Sequence, residues 1–283
     1  MKTSGTLYVV ATPIGNLDDA SARSIEVLRG ADVIACEDTR TSGTLLARYG
    51  ISARTVALHE HNERAAAAEL IEELRRGRDV ALVSDAGTPA LSDPGAHFVA
   101  EAHKAGIRVS PVPGPSAAAA SFSAAGFPAP GFLFAGFLPA TGSARARAIE
   151  ALDVPWPVVL YEAPHRIAKT LAQLAERLGA AREVLIAREL TKKFEELARL
   201  PLGAAGAWLA ANPHRVQGEF VVVLAAGERR GAPAAQAERV LDILLAEHSP
   251  SDAARIAARI TGLPKKDLYR KALQHRKVLQ GAK

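Results

Sequence analysis

Between residues 6 and 224, short apolar runs alternate with stretches in which apolar positions recur every three to four residues. Runs of four to six residues, rich in Val, Ile and Leu and bounded by Gly, Pro, Asn or Asp, are the pattern of buried strands. Five of them fall at 7–10, 33–36, 55–58, 80–83 and 108–111. The periodic stretches between them predict helices, such as one over 65–76 that Asn62 is placed to cap and Gly77 to end. After an alanine-rich segment at 116–125, five more strand-like runs follow at 132–135, 157–161, 183–188, 196–200 and 220–224. This alternation predicts an α/β class with two α/β domains, 1–115 and 116–226.

Beyond residue 226 the strand pattern stops. The segment 227–235, GERRGAPAA, has linker chemistry, and only helical periodicity follows it, which predicts a small basic helical module over 235–283. Its first clear helix is expected to open at Ser251 or Asp252. A turn at Thr261-Gly262-Leu263-Pro264 then leads into a second, basic helix, in helix-turn-helix order. On that second helix Lys265, Lys266, Arg270 and Lys271 gather towards one side, leaving Leu268 and Leu273 to pack inward.

Composition narrows the picture. The chain has 283 residues, 48% of them hydrophobic, enough for a substantial core. No apolar run approaches the roughly 18 residues needed to span a bilayer, and MKTSGTLYVV lacks the sections of a signal peptide, so a cytoplasmic protein without a membrane partner is expected. The lone Cys36 can form neither an internal disulfide nor a cysteine metal site, and its apolar surroundings mark it as core. The net charge of +5 is uneven: twelve Lys and Arg stand against five Asp and Glu from Arg229 onward, and twenty-three against twenty-five before it. A basic tail of this kind suits a polyanion such as nucleic acid, with a merely solvated helical surface as the alternative.

In open α/β sheets, ligands collect outside the carboxyl ends of the strands, so the loops there are the candidates for chemistry. SDAGTPALSDPG, residues 84–95, follows the fourth run. Gly87 and Gly95 allow close backbone approach, Pro89 and Pro94 stiffen the loop, and Asp85 offers a carboxylate to a hydroxyl or an ammonium. This makes Asp85, Ala86, Gly87 and Thr88 a candidate ligand loop. The competing reading is a capped turn in which Asp93 and Pro94 only start a helix over 95–104. VPGPSA, residues 112–117, leads into a helix of small residues that a flat ligand can approach closely, which adds Pro113, Gly114, Ser116 and Ala117. ATPIGN, residues 11–16, matches neither a P-loop nor a dinucleotide fingerprint, so no nucleoside triphosphate is implied.

Other strand ends are polar as well. CEDTR places Glu37, Asp38 and Arg40 after the second run, and HEHNE places His59 and His61 two apart, facing one way if on a strand. No other Cys or His is arranged locally with that pair, and no metal is expected. YEAPHR and RELTKKFEE close two later strands. In the latter, Lys192 and Lys193 beside Arg188 either make a positive surface for phosphates or pair with Glu189, Glu195 and Glu196, and both readings stay open.

Taken in order, LYVVATPIGNLDD, ADVIACEDTR, HEHNE, VALVSDAGTPALSDPG, VPGPSAA, GFLP, YEAPHR, ARELTKKFEE and GEFVVV resemble the ribosomal RNA small subunit methyltransferase I family of the tetrapyrrole methylase superfamily. The resemblance spans residues 5 to 224, and the tail is similar to the helix-turn-helix module often appended in that family. It implies two α/β domains with S-adenosylmethionine in the cleft between them, lying along Asp85 to Thr88 and Ser116-Ala117. ATPIGN and EDTR would then face the substrate. It also implies a homodimer and methylation of the ribose 2′-hydroxyl of a cytidine in the decoding centre of 16S ribosomal RNA, within the assembled small subunit. The family pattern after EDTR is His-Thr, whereas this chain has Thr41-Ser42, so no histidine role carries over to that position.

A sulfonium is already an activated leaving group, so the transfer needs an in-line oxygen, a dry cleft and a base for a weakly acidic hydroxyl. Glu37, Asp38, His61, and Lys192 or Lys193 with a lowered pKa are all chemically able. Asp38 and Glu37 are favoured because a carboxylate is already ionised at neutral pH. Arg40 and Lys192 are expected to grip RNA phosphates or the reacting ribose. Two rivals remain, a tetrapyrrole methylase acting on a macrocycle and a non-enzymatic RNA-binding protein that kept the fold. The basic tail and the EDTR and HEHNE phrases argue against the first.

Overall fold

The computed structural model describes residues 4–227 and 232–281, and their side chains except at 232–236 and 275–281. The chain divides into two compact units, Met1–Ala226 and Gly227–Lys283. The expected linker lies outside the described residues over 228–231. The expected boundary near residue 115 falls inside the first unit, between its two sheets.

The first sheet contains β1 (Thr6–Val10), β2 (Val33–Cys36), β3 (Arg54–Ala57), β4 (Val80–Leu82) and β5 (Arg108–Val112) in the order β3-β2-β4-β1-β5, all parallel. The central strands β2 and β4 read as continuous apolar runs because both faces are covered, while the edge strands β3 and β5 carry exposed polar positions. Leu7, Val33, Ala35, Val80 and Leu82 pack under the helices Glu63–Arg75 and Ala96–Lys104. Val10, Ile34, Cys36, Ala81 and Val83 pack on the other face under the helices Ala22–Gly30 and Thr39–Arg48. Each fully buried Leu or Ile contributes about 1.5–3 kcal/mol by leaving water. All five carboxyl ends point one way, with their loops gathered on one edge.

The second sheet, β6 (Leu133–Phe137), β7 (Val158–Glu162), β8 (Glu183–Arg188), β9 (Glu196–Pro201) and β10 (Phe220–Leu224), runs β6-β7-β10-β8-β9. Only β6 and β7 are parallel. One face is covered by the helices Gly142–Glu150, Ile167–Leu178 and Ala205–Ala210. The other carries the helix Ala117–Ala125, which leaves β5 and lays Ala118 and Ala125 on Val159, Leu185, Val221 and Val223. Its small side chains permit that close seat, and the helix brings the loop edge of the first sheet against the second.

Several local expectations are corrected. Asn62 precedes its helix but does not cap it, because its Oδ1 accepts from the His59 N–H at 2.8 Å instead. The helix after residue 95 is not started by Asp93 and Pro94. Gly95, at φ 119°, precedes it, and the Glu63 carboxylate accepts from Gly95 N at 2.9 Å and His97 N at 3.0 Å. His59 and His61 lie in a turn after β3 rather than on a strand, with ring centroids 6.1 Å apart.

The second unit contains the helices Ala232–Leu245, Pro250–Thr261 and Lys265–Gly281. Ser249 caps the middle one, ahead of the expected Ser251 or Asp252, with Pro250 in its first turn. Gly262 ends it at φ 72°, as the turn chemistry predicts. Leu268 is buried as expected, but Leu273 is 41% exposed and Ala272 takes the inward position. Lys265, Lys266 and Arg270 are exposed, while Lys271 is paired with Glu238. Among the described residues no helix is long and apolar enough to cross a membrane.

Candidate active site

The loops after β1 and β4 are stitched into one frame by main-chain bonds. Thr12 N–H donates to the Gly87 carbonyl at 2.9 Å, Gly87 N–H returns the bond to Thr12 at 3.0 Å, and the Thr12 hydroxyl reaches the Ser84 carbonyl at 3.3 Å. Thr88 Oγ1 donates to the Pro115 carbonyl at 3.1 Å, tying in the loop after β5. Gly114 passes so close to Ala11 that a Cβ there would lie 3.1 Å from the Ala11 methyl.

Between this frame and the second sheet lies a cavity of about 370 Å³. The first sheet supplies Ile14, Asp85 to Thr88, Leu91 to Asp93 and Ala117. The second supplies Phe137, Tyr161 to Pro164, Ala187, Leu190 and Glu219 to Val221. The latter group sits where β7 and β8 end and β10 begins, since Phe220 is paired with both Glu162 and Arg188. Four described non-glycine residues have positive φ, and they flank the cavity in pairs: Ala90 (64°) and Ser92 (68°) on one side, Glu189 (52°) and Thr191 (63°) on the other. Strained backbone of this kind collects at ligand sites. Gly15 lets the two sides meet, for a Cβ there would lie 2.5 Å from Lys192 Cγ and 2.9 Å from the Leu190 carbonyl.

Asp85, Ala86, Gly87, Thr88 and Ala117 therefore line one cavity, whereas Pro113, Gly114 and Ser116 do not. Gly114 packs on Ala11, and the Ser116 hydroxyl caps the helix Ala117–Ala125. Glu37 and Asp38 stand beside the cavity, with the Asp38 N–H donating to Asp85 Oδ1 at 3.1 Å. Phe137 and Glu219 were not singled out as site residues from the sequence, and Asp93 entered only as a helix start. The one available signal was Gly136 directly after the run at 132–135, since glycine at a strand's end permits an irregular backbone.

The model of the Tetrapyrrole (Corrin/Porphyrin) Methylases matches residues 6–206, and that of the RsmI C-terminal HTH domain matches residues 231–276. A Pseudomonas aeruginosa protein named ribosomal RNA small subunit methyltransferase I is 48% identical over 276 residues, 96% of this chain and 98% of that one. The chain belongs to the ribosomal RNA small subunit methyltransferase I family. An Escherichia coli O157:H7 member is 44% identical over 275 residues, with 96% of each chain covered. Solved structures share the fold at lower identity. Diphthine synthase aligns with a TM-score of 0.59 at 17% identity, over 78% of this chain and 90% of its own. A Thermus thermophilus uroporphyrin-III C-methyltransferase complexed with S-adenyl homocysteine aligns with a TM-score of 0.54 at 19% identity, over 78% and 97%. As a member of this methyltransferase family the chain uses S-adenosylmethionine as its cofactor.

The cavity fits that cofactor chemically. Its walls are apolar at Ile14, Leu91, Ala117, Ala187, Leu190 and Val221, which suits a flat ring, and the carboxylates of Asp85 and Asp93 suit a cation. The carboxylates near the methyltransferase cavity differ sharply. Burial, reinforced by the charges of Asp85, Asp93 and Asp38, raises the pKa of Glu37. Asp38 is held at about 2 because its carboxylate accepts from the Arg40 guanidinium at 2.7 and 3.1 Å and from the Arg40 N–H at 2.8 Å. That corrects the equal standing of the two as bases, since a carboxylate so stabilised is a poor proton acceptor. Arg40 itself is exposed and pairs with Asp38.

Lys192 is corrected as well. Burial works against its ammonium, but Glu189 and Glu219, each at 3.0 Å, outweigh burial and raise the pKa, so it is a cation and no base. Arg188 is buried and donates to the Gln217 and Phe194 carbonyls, so it adds nothing to a phosphate surface. The ion-pair reading holds for Lys192, with Glu219 as the partner hidden from the sequence, while Lys193 lies over the Phe194 ring and Glu195 accepts from the Thr191 N–H. Glu196 pairs with Arg215 at 2.5 Å. Among the described residues no group of three or more His, Cys, Asp or Glu is disposed to hold a metal.

Proposed function

We propose that the chain methylates the ribose 2′-hydroxyl of a cytidine in the decoding centre of 16S ribosomal RNA, acting as a homodimer on the assembled small subunit in the cytoplasm. The observation that carries the reading is a single cavity, lined from both sheets, in a chain related over nearly its whole length to proteins named for the ribosomal small subunit. Asp85 to Thr88 and Ala117 hold S-adenosylmethionine, with Asp85 and Asp93 facing its positive charge. When bound, the cofactor supplies a methyl group on a sulfonium, an activated leaving group. The chain's own work is to exclude water, align the acceptor oxygen and receive its proton.

Glu37 receives that proton, because a raised pKa brings a carboxylate nearer the operating pH, where proton transfer is most efficient. Arg40, exposed at the same strand end, meets a phosphate of the target, and Asp38 aims its guanidinium. Lys192 keeps the loop after β8 against Gly15 and so supports the cavity wall. The exposed Lys265, Lys266 and Arg270 of the second unit add phosphate contacts, a role that makes affinity salt-dependent.

Incubation with labelled S-adenosylmethionine and small subunits lacking the methyl group tests the reading. Label is expected in a 2′-O-methylcytidine nucleoside after digestion. Label on the base, on another nucleotide, or only on a macrocyclic acceptor supplied in parallel would refute it.

A further inference from the structure

Phe137 lines the cavity and yet is 54% exposed, and unusual backbone presents it that way. Residues three apart on a regular strand point to opposite faces. Phe134 and Phe137 nevertheless both pack on Tyr161, edge-to-face, with centroids at 5.1 and 5.6 Å. The cause is a register break between Phe134 and Gly136 in the pairing of β6 with β7. Gly136 takes φ 59°, where a Cβ would lie 2.8 Å from Ser92 Oγ, so a side chain there would be strained and would push Ser92 aside. Bulges beside active sites commonly re-aim one side chain.

The next residues are clamped. The Leu138 carbonyl accepts from Arg166 at 2.5 Å and the Pro139 carbonyl from Arg145 at 2.9 Å. Both guanidiniums flank the fully buried Glu162 carboxylate, at 3.0 and 3.6 Å, and Thr170 donates to it at 2.6 Å. The aromatic ring is thus fixed on one side by Tyr161 and followed by an anchored backbone, with more than half its surface open.

A volume of about 370 Å³ is near the lower end of the roughly 300–1,000 Å³ typical of ligand sites, so one cofactor fills the cavity and a second reactant meets its rim. We infer that the open face of Phe137 stacks on the base of the target nucleotide, holding its ribose at the cavity mouth. This rests on the reading that the cavity holds S-adenosylmethionine and that the acceptor is an RNA nucleotide. Every base has a π face, so the stack positions the nucleotide without choosing among bases, and it requires an unpaired residue.

The test compares Phe137→Leu, Phe137→Trp and Trp156→Leu with the wild type. Trp156 is a useful control because it is 45% exposed but precedes β7, at the opposite end of the strand from Tyr161. S-adenosylmethionine affinity is measured by calorimetry, and kcat/KM for unmethylated small subunits at saturating cofactor. Phe137→Leu is expected to keep cofactor affinity within about 2-fold and to lose roughly 5- to 150-fold in kcat/KM, the range of one base–aromatic stack. Phe137→Trp should retain most of the activity and Trp156→Leu all of it. Undiminished transfer by Phe137→Leu overturns the inference, as does a loss of cofactor affinity equal to the loss of transfer, which would give the ring to the cofactor's adenine. Failure of the wild type to bind S-adenosylmethionine at all would remove the underlying reading and the inference together.

Discussion

The two walls of the cavity are built on different principles. On the first sheet the frame is main chain: Thr12 and Gly87 exchange two backbone bonds, and Gly114 packs directly on Ala11. On the second sheet the frame is charged side chains. Glu162 gathers Arg145, Arg166 and Thr170, and Glu189 accepts from the Glu219 N–H at 2.8 Å while pairing with Lys192. Both walls hold left-handed, non-glycine residues in place, but a backbone frame leaves its side chains free for chemistry whereas an ionic frame consumes them. The acids proposed to face the donor's charge, Asp85 and Asp93, line the first wall, and Glu37, the proposed base, stands beside it.

The difference is sharpened by removing one group at a time. The largest effect is expected at Glu37. Glu37→Gln should slow transfer roughly 10²- to 10⁴-fold at saturating cofactor. The wild-type rate should fall as pH drops through the raised Glu37 pKa, because a base acts only when ionised, and Glu37→Gln should lose that limb of the profile. Asp38→Asn should keep the limb, as Asp38 is already ionised above about pH 2. Stability runs the other way. A carboxyl whose pKa is raised by folding costs stability as pH rises through its own titration, so Glu37→Gln should be no less stable than the wild type at neutral pH.

On the second wall, Glu162→Ala leaves two guanidiniums facing each other without their acid, Arg145 among them only 3% exposed, and should cost about 3–5 kcal/mol. Glu189→Ala, which strips an acceptor from Glu219 N–H and one partner from Lys192, should cost about 1–3 kcal/mol. Thr12→Val on the first wall removes one hydroxyl bond and spares the main-chain pair, so about 1 kcal/mol or less is expected. Urea unfolding followed by the fluorescence of Trp156 and Trp208, the only two tryptophans, reads all three in the first unit. A Thr12→Val cost equal to that of Glu162→Ala would break the contrast.

Much of the fold was legible in the sequence because it rests on local pattern. Each of the ten strands falls on or beside a strand-like run, and β2, buried along its whole length, reads as four apolar residues in a row, whereas β9 shows the alternation of a half-exposed edge. The Asp85 loop could be found from its place after β4 alone. What escaped depends on partners distant in the chain. Glu63 caps the helix after Gly95 from 32 residues away, so Asp93 and Pro94 looked like its start with nothing to contradict them. Local spacing left Lys192 open between a phosphate surface and pairing with its neighbouring glutamates, and Glu219, which comes from the start of β10 to pair with it, lies too far along the chain to be read. Phe137 was missed because a bulge changes which face a residue occupies, and alternation along the chain assumes that no bulge exists.

The central claim is that the cavity between the sheets holds the methyl donor. Ala117 lies at its lining, at the start of the helix seated by Ala118 and Ala125, and packs partly on the same core, so Ala117→Trp fills the space and the urea midpoint reads separately any cost to packing. Calorimetric titration with S-adenosylmethionine should show saturable binding to the wild type and none to Ala117→Trp, with the urea midpoint of the variant unchanged. Wild-type affinity in Ala117→Trp would contradict the account and move the cofactor out of this cavity.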